Sequence, residues 1–368
     1  MANRVREEGA GDGSPRPALL DMAMGFFRGK VLCAAVRLGI ADALADGPRT
    51  VDELAAATQA NPDALRRFLR ALASIGLVEE IAPARFSLTA FGDPLRKDAP
   101  NSVWASMIFW SDLLADAWTF LPECIRAGDR SGAETARLRE GSTSRWAREP
   151  DAKAIFHSVF AEAAADDFAP LVAAWDFSKC RVVADLGGGG GGLLAAVLLA
   201  RPGARGILVE RATALDAASK KLEASGVKAR CELVAGDLLE SVPPGADVYL
   251  MRCVLHGYDD ASAVRILRNV RRAMAPESRL LLIEVVLPNR IARPDAELEK
   301  LLMSDLNMLA VTGGRERSED EWNALLTSAG LERRRTLSFP NQTASIIEAG
   351  CRDRGNETSG DPPTVAAR

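Results

Sequence analysis

The apolar positions change rhythm once along the chain, and that change divides it in two. From Leu19 to Leu44 they recur at helical spacing (Phe26, Phe27, Val31, Ala34, Ala35, Leu38), which predicts an amphipathic or fully buried helix. Thr50 and Glu53 then form a capping-box pair over Thr50–Thr58. Asn61-Pro62-Asp63 opens a further helix running to Ile75, and Gly76 stops it. Val78 to Leu88, interrupted at Pro83-Ala84, reads as a small hairpin. Helix, short helix, helix and hairpin predict a winged-helix arrangement over residues 17–100. Residues 101–175 keep a helical pattern as a connector. Its aromatic residues Trp104, Trp110, Trp118, Trp146, Phe156, Phe160 and Trp175 suit a core, part of which could roof a pocket for a flat ligand.

From Arg181 onward the pattern becomes short β-branched runs separated by helical stretches. The runs are Val182–Leu186, Gly206–Glu210, Cys231–Ala235, Asp247–Leu255 and Arg279–Leu287. Such alternation predicts a parallel sheet with helices on both faces. A final pair, about Leu331–Phe339 and Ala344–Glu348, would add an edge hairpin. The predicted fold class is therefore α/β, a Rossmann-like domain over residues 176–352 behind an N-terminal winged-helix domain. Residues 1–16 and 353–368 read as disordered tails.

At 368 residues the chain has room for two domains and a sizeable core. Its net charge of −4 argues against a general affinity for nucleic acid. Arg66, Arg67 and Arg70 would stand on the recognition helix of a DNA reader. In an acidic chain they fit better as the solvated face of a dimerisation or lid domain. The six cysteines are scattered without a C-x-x-C pair, which suits reduced thiols in a cytosolic protein. With only His157 and His256 there is no His-rich metal site, and no Asp/Asn/His cluster at ligand spacing appears, so no metal is expected. The chain carries neither an apolar run of about 18 residues nor a secretory signal. A cytoplasmic location is expected.

Candidate chemistry gathers where the strands end, because ligands of open α/β sheets bind beyond the carboxyl ends. The run Val182-Val183-Ala184-Asp185-Leu186 leads into six consecutive glycines, Gly187 to Gly192, and then a helix stopped by Pro202-Gly203. Gly187-x-Gly189-x-x-Gly192 satisfies a dinucleotide fingerprint, but so many glycines satisfy almost any such spacing. The second strand ends at Glu210, 23 residues after Gly187, where a carboxylate can take both ribose hydroxyls. The third runs into Gly236-Asp237-Leu238, the fourth into Arg252 and then His256, and the fifth carries Glu284. Asp185 discriminates between ligands. A carboxylate before the first glycine repels a pyrophosphate and welcomes an ammonium, so S-adenosyl-L-methionine (SAM) fits better than a dinucleotide.

From about residue 19 to 350 the chain resembles a class I SAM-dependent methyltransferase of the small-molecule O-methyltransferase family, which includes plant caffeic acid and hydroxyindole enzymes and bacterial polyketide and anthracycline tailoring enzymes. Asp185-Leu-Gly-Gly-Gly, Gly236-Asp237-Leu238, Arg252-Cys-Val-Leu-His256, Glu284-Val-Val-Leu-Pro288 and Gly313-Gly-Arg-Glu316-Arg-Ser318 carry the resemblance. It implies that Gly187, Gly189, Glu210, Asp237, Leu238 and Arg252 join Asp185 around the cofactor, with S-adenosyl-L-homocysteine as product. It implies His256 as general base flanked by Glu284 and Glu316, an aromatic hydroxyl as acceptor in natural-product biosynthesis, and a homodimer formed through the N-terminal domain. A histidine of pKa about 6.5 can take the proton of a phenol of pKa about 10 as methyl transfer proceeds. Where the family usually has an acidic or amide residue after the histidine, this chain has Gly257, which removes one orienting group and is expected to loosen the turn. Some bacterial relatives have lost the histidine and use SAM for hydroxylation or decarboxylation. Keeping His256 argues for methyl transfer, with a SAM-binding hydroxylase or decarboxylase of the same fold as the alternative reading. Met303, Asn307 and Met308, with Phe156 and Phe160, are candidates to touch the acceptor, or else to pack in the core.

Overall fold

The computed structural model describes residues 15–140, 143–162, 168–338 and 344–352. The expected tails therefore lie outside the described residues, apart from Pro15 and Arg16, and Arg16 already begins the first helix. The chain divides into two compact units. The first holds residues 1–163, 295–297 and 309–312, and the second holds the remainder.

In the first unit the helix Arg16–Arg37 is followed by Val51–Thr58 and Pro62–Ser74. Thr50 caps its helix by the reciprocal bonds expected with Glu53, and Asn61 accepts from Ala64 N–H. Strands β1 (Arg49–Thr50), β2 (Val78–Ala82) and β3 (Arg85–Leu88) pair antiparallel in the order β1-β3-β2, which completes the winged-helix arrangement. Leu54, Leu65, Leu69, Leu72 and Phe86 form its core at 0–2% exposure. The first helix is different: Leu19, Leu20, Met22, Phe26 and Phe27 are all more than half exposed. Further on, residues 104–118 wind through a π-turn at Phe109–Leu114. There Asp112 pairs with Arg37 at 2.7 Å and Arg145 at 3.1 Å.

The second unit is a seven-stranded sheet. Its strands are β4 (Val182–Leu186), β5 (Arg205–Glu210), β6 (Cys231–Ala235), β7 (Val248–Arg252), β8 (Arg279–Glu284), β11 (Leu331–Leu337) and β12 (Ser345–Cys351). Two short strands, β9 (Val286–Leu287) and β10 (Arg317–Ser318), pair with each other apart from the sheet. The order β11-β12-β8-β7-β4-β5-β6 is parallel from β8 to β6, and the expected edge hairpin β11/β12 pairs antiparallel with β8. Side chains alternate between two buried layers. Leu280 and Leu282 join Tyr249, Met251 and Trp322 on one face, whereas Leu281 and Ile283 join Val248, Leu250 and Leu198 on the other. That period-two partition, with both layers apolar, is why the strands read as continuous hydrophobic runs.

Two strand expectations are corrected. The run Asp247–Leu255 stops at Arg252, because Cys253 takes a left-handed φ of 53° and a 3₁₀ turn, Leu255–Gly257, follows. The run Arg279–Leu287 breaks after Glu284, and its last residues form β9. Phe339, assigned to the hairpin, lies outside the described residues. The chain leaves β4 toward β5 and β6 and then returns to β7 on the other side of β4. A sheet opens a crevice at such a reversal, beyond the carboxyl ends of the two central strands. β4 ends at Asp185-Leu186 and β7 at Arg252.

Candidate active site

The β4 end of the crevice is built around a carboxylate with too few partners. Asp185 is 1% exposed and its Oδ2 has no hydrogen-bond partner among the described residues. Burial pushes its carboxyl up to about 7, against the opposing pull of the Leu194 N–H and the Arg252 guanidinium. Glycine is required beside it, since a Cβ on Gly188 would stand 2.6 Å from Asp185 Oδ2. Gly187 (φ 70°) abuts Val254 of the next crevice wall, and Gly189 (φ 52°) donates its N–H to Glu210 Oε2 at 3.2 Å. Gly191 is the left-handed N-cap of the helix Gly192–Ala200, whereas a Cβ at Gly190 would meet open space.

The other strand ends stand along the same edge. Glu210 closes β5, and its Oε1 accepts from Arg211 N–H at 2.7 Å. After β6, Asp237 caps its own turn through Leu239 N–H (2.8 Å), and Leu238 O accepts from Asn269 Nδ2 (2.7 Å). Arg252 at the end of β7 stacks its guanidinium over Phe168 at 5.2 Å. This arrangement can hold a ligand with a cationic ammonium and an adenosine: the ammonium would supply the partner that Asp185 Oδ2 lacks, and the glycines leave the backbone open.

On the β7 side, His256 sits in the turn Leu255–Gly257, and its Nδ1 lies 3.0 Å from Glu316 Oε1. The two expected flanking acids do different work. Glu284 Oε1 accepts from Val254 N–H (3.0 Å) and Leu255 N–H (2.9 Å), so it holds the turn, while its Oε2 is 3.9 Å from the imidazole. Glu316 bonds the ring itself, and Ser304 Oγ donates to the same oxygen at 2.9 Å. Asp305 Oδ1 accepts from Glu316 N–H at 2.8 Å. Burial alone would push the imidazole pKa down. The hydrogen bond to Glu316 and the charges of Glu284 and Glu316 outweigh it, leaving His256 above its ordinary value. Glu284 is raised by burial.

The segment after Gly313 is shaped to the histidine turn. A Cβ on Gly314 would stand 2.0 Å from His256 O, and Arg315 N–H donates to that carbonyl at 2.8 Å. Arg317 is fully buried. It donates to Leu255 O (3.1 Å), Tyr258 O (2.9 Å) and, through Nε and Nη2, to Asp260 Oδ1 (3.0 and 2.9 Å), with its guanidinium 5.3 Å over Trp322. Sequence reasoning passed over Arg317 although it lies within the quoted Gly313–Ser318 motif. No sequence signal marked Ser304 or Asp305.

Of the acceptor candidates, Asn307 is buried and Met303 is 45% exposed, with Met308 between them in exposure, on the helix Ala296–Val311 that also supplies Ser304. Phe156 belongs to the first unit, where it packs edge to face with Phe109 (5.9 Å) and Trp146 (5.9 Å). The side chain of Phe160 lies outside what is described. Although the sequence shows no cluster at ligand spacing, folding gathers ligand atoms of His256, Glu284 and Glu316, from three separate segments, within 4.8 Å of one another.

The O-methyltransferase domain profile matches residues 139–332, and the O-methyltransferase dimerisation domain profile matches residues 20–98. The chain is 37% identical to a phenazine O-methyltransferase from Lysobacter antibioticus, over 90% of this chain and 95% of that one. It superposes on the structure of a mitomycin 7-O-methyltransferase with a TM-score of 0.83 at 34% identity, covering 94% of this chain and 100% of the other. An O-methyltransferase from neocarzinostatin biosynthesis, solved with S-adenosylmethionine and 2-hydroxy-5-methyl naphthoic acid, gives 0.75 at 31% identity, over 88% and 96% of the two chains. The chain belongs to the SAM-dependent O-methyltransferase family.

The glycine turn yields a test. Gly188→Ala forces a methyl group against Asp185 and is expected to weaken SAM binding by at least about tenfold, whereas Gly190→Ala should change it by less than about twofold. Isothermal titration of both variants with SAM measures this, and equal affinities would contradict the cradle.

Proposed function

We propose that the enzyme transfers the methyl group of SAM to a hydroxyl of an aromatic small molecule, with His256 as general base. The observation that carries this reading is the 3.0 Å bond between His256 Nδ1 and Glu316 Oε1. With its Nδ1 proton held by that carboxylate, the ring keeps the Nε2 lone pair for an acceptor's proton, and Nε2 makes no hydrogen bond to a described residue. A phenol of pKa about 10 is a weak nucleophile until that proton leaves. As the proton arrives, Glu316 and Glu284 stabilise the imidazolium, the same effect that raises the His256 pKa.

When bound, SAM supplies an electrophilic methyl group. In this reading Asp185 receives its ammonium, Gly187 and Gly189 admit it to the backbone, and Glu210 takes the ribose hydroxyls. Asp237, Leu238 and Arg252 surround the remainder. Alignment of the acceptor oxygen supplies much of the rate. Met303, Asn307 and Met308 are assigned to acceptor contact because their helix also carries Ser304, which bonds the partner of His256. The aromatic acid bound by the neocarzinostatin enzyme supports an aromatic acceptor. The exposed apolar row on Arg16–Arg37, with the matched dimerisation profile, supports a homodimer. The acidic balance supports a small-molecule partner over nucleic acid. Among the described residues no helix is long and apolar enough to cross a membrane, which is compatible with a cytoplasmic enzyme.

His256→Ala is expected to lower turnover at least about 100-fold while SAM affinity stays within about twofold. Product mass spectrometry with methyl-labelled SAM reads the transfer, and full activity in the variant would sink the base assignment. The base works only when neutral, so kcat/KM should climb with pH to a plateau through a midpoint above the ordinary histidine value. In Glu316→Gln the carboxylate hydrogen bond and its charge are gone and only Glu284 still opposes burial, so the climb should move to lower pH while the plateau drops. An unmoved midpoint would contradict the pairing. SAM binding needs Asp185 ionised, and its carboxyl lies at about 7 in the free enzyme. The SAM Kd should therefore rise as pH falls below about 7, and a flat Kd from about pH 6 to 8 would remove Asp185 from the ammonium's role.

A further inference from the structure

The buried acids around His256 are more numerous than a general base needs. Glu284 and Glu316 have side chains 0% exposed, and each keeps one carboxylate oxygen, Oε2, without a hydrogen-bond partner among the described residues. An orphan oxygen on a dry carboxylate is costly; that of Glu284 stands 3.9 Å from the imidazole, and that of Glu316 belongs to the carboxylate that bonds the ring. We infer that His256 Nδ1, Glu284 and Glu316 form an inhibitory capture site for a borderline divalent transition ion of the zinc class.

Geometry and donor chemistry support that assignment. Bonds of about 2.0–2.2 Å to a tetrahedral zinc place neighbouring ligand atoms about 3.4 Å apart. The observed separations from His256 Nδ1, 3.0 Å to Glu316 Oε1 and 3.9 Å to Glu284 Oε2, bracket that value. One imidazole and two carboxylates leave a fourth position for water, a set that suits zinc or cobalt. Magnesium prefers an octahedral, all-oxygen shell and keeps its waters. The ligands are already oriented: Val254 and Leu255 N–H fix Glu284, and Ser304 Oγ with the Asp305 cap fixes Glu316. Such outer partners raise metal affinity. His256, at 19% side-chain exposure, is the route in.

Binding of the ion has a definite consequence, which rests on the proposed base. Coordination through Nδ1 leaves the ring's proton on Nε2, so the nitrogen that would accept the substrate's proton becomes a donor. The ion therefore stops methyl transfer without occupying the glycine turn, and a chelator restores it.

The test uses the full chain stripped of metal. Cobalt(II) titration followed by its visible ligand-field bands, and zinc(II) titration by calorimetry, should each show one ion per chain. Binding should weaken at least about tenfold in His256→Asn and in Glu284→Gln, with far-ultraviolet circular dichroism confirming that both fold. Zinc should inhibit the wild type reversibly without raising the KM for SAM. A thiolate charge-transfer band with cobalt would place the ion on cysteines and overturn the site, as would unweakened binding in both variants or no saturable binding. Stoichiometric binding without inhibition would uphold the site and overturn the general-base reading instead.

Discussion

Carboxylates buried without full complements of partners set the character of this enzyme. Asp185, Glu284 and Glu316 are 1%, 0% and 3% exposed; the first two stand at the ends of β4 and β8, and the third reaches the imidazole beyond β7. A protein assembled only for stability would not place them there, because each desolvated charge works against folding unless something answers it. For Asp185 the sign is definite. Its folded pKa lies well above that of an unfolded aspartate, so the folded chain holds the extra proton at mildly acidic pH and this group's contribution to stability declines as pH rises toward about 7. In the proposed reading the ammonium of SAM answers that charge, so the same desolvation that costs stability would make binding favourable. The apolar layers on both faces of the sheet, from Leu198 to Trp322, carry the site through that cost.

Histidine placement follows a related logic with more hardware. The turn Leu255–Gly257 has no regular strand or helix to hold it, because β7 ends at Arg252. It is held from outside instead. Glu284 takes the N–H groups of Val254 and Leu255, Arg317 takes the carbonyls of Leu255 and Tyr258, and Arg315 N–H takes that of His256. Gly314 permits this docking, since any side chain there would overlap the His256 carbonyl. Backbone groups at the end of a strand would otherwise face a dry crevice unpaired. The motif Gly313–Ser318 is thus a receptor for the turn, and Glu316 is the part of it that reaches the imidazole.

How far this could be read from the chain depended on whether the information was local. Strand runs such as Val182–Leu186, the Thr50–Glu53 cap and the Asn61 cap are short-range patterns and were legible. The end of β7 was not, because Val254 and Leu255 are as apolar as a strand and only the backbone at Cys253, φ 53°, breaks it. The resemblance implied Glu284 and Glu316 beside the histidine, but not which of them bonds the ring. That depends on where the Glu316 segment docks, a long-range fact. Ser304 and Asp305 were invisible for the same reason: a serine and an aspartate inside an ordinary helical pattern carry no mark of what they touch. The metal-type geometry was hidden because its ligands come from three segments rather than one spacing.

Gly257 shows what this long-range support accomplishes. At this position the resemblance implies an orienting acid or amide, and a glycine there is expected to loosen the turn. Nothing about the backbone demands glycine, because its φ is not left-handed and a Cβ would meet no atom within 4 Å. The turn therefore tolerates a side chain at 257 without depending on one. The surrounding N–H and carbonyl groups are fixed by Glu284, Arg315 and Arg317, and the imidazole is fixed by Glu316. An orienting group at 257 would duplicate bonds already made. The histidine is therefore held by long-range bonds rather than by its chain neighbour, and the space at 257 stays open.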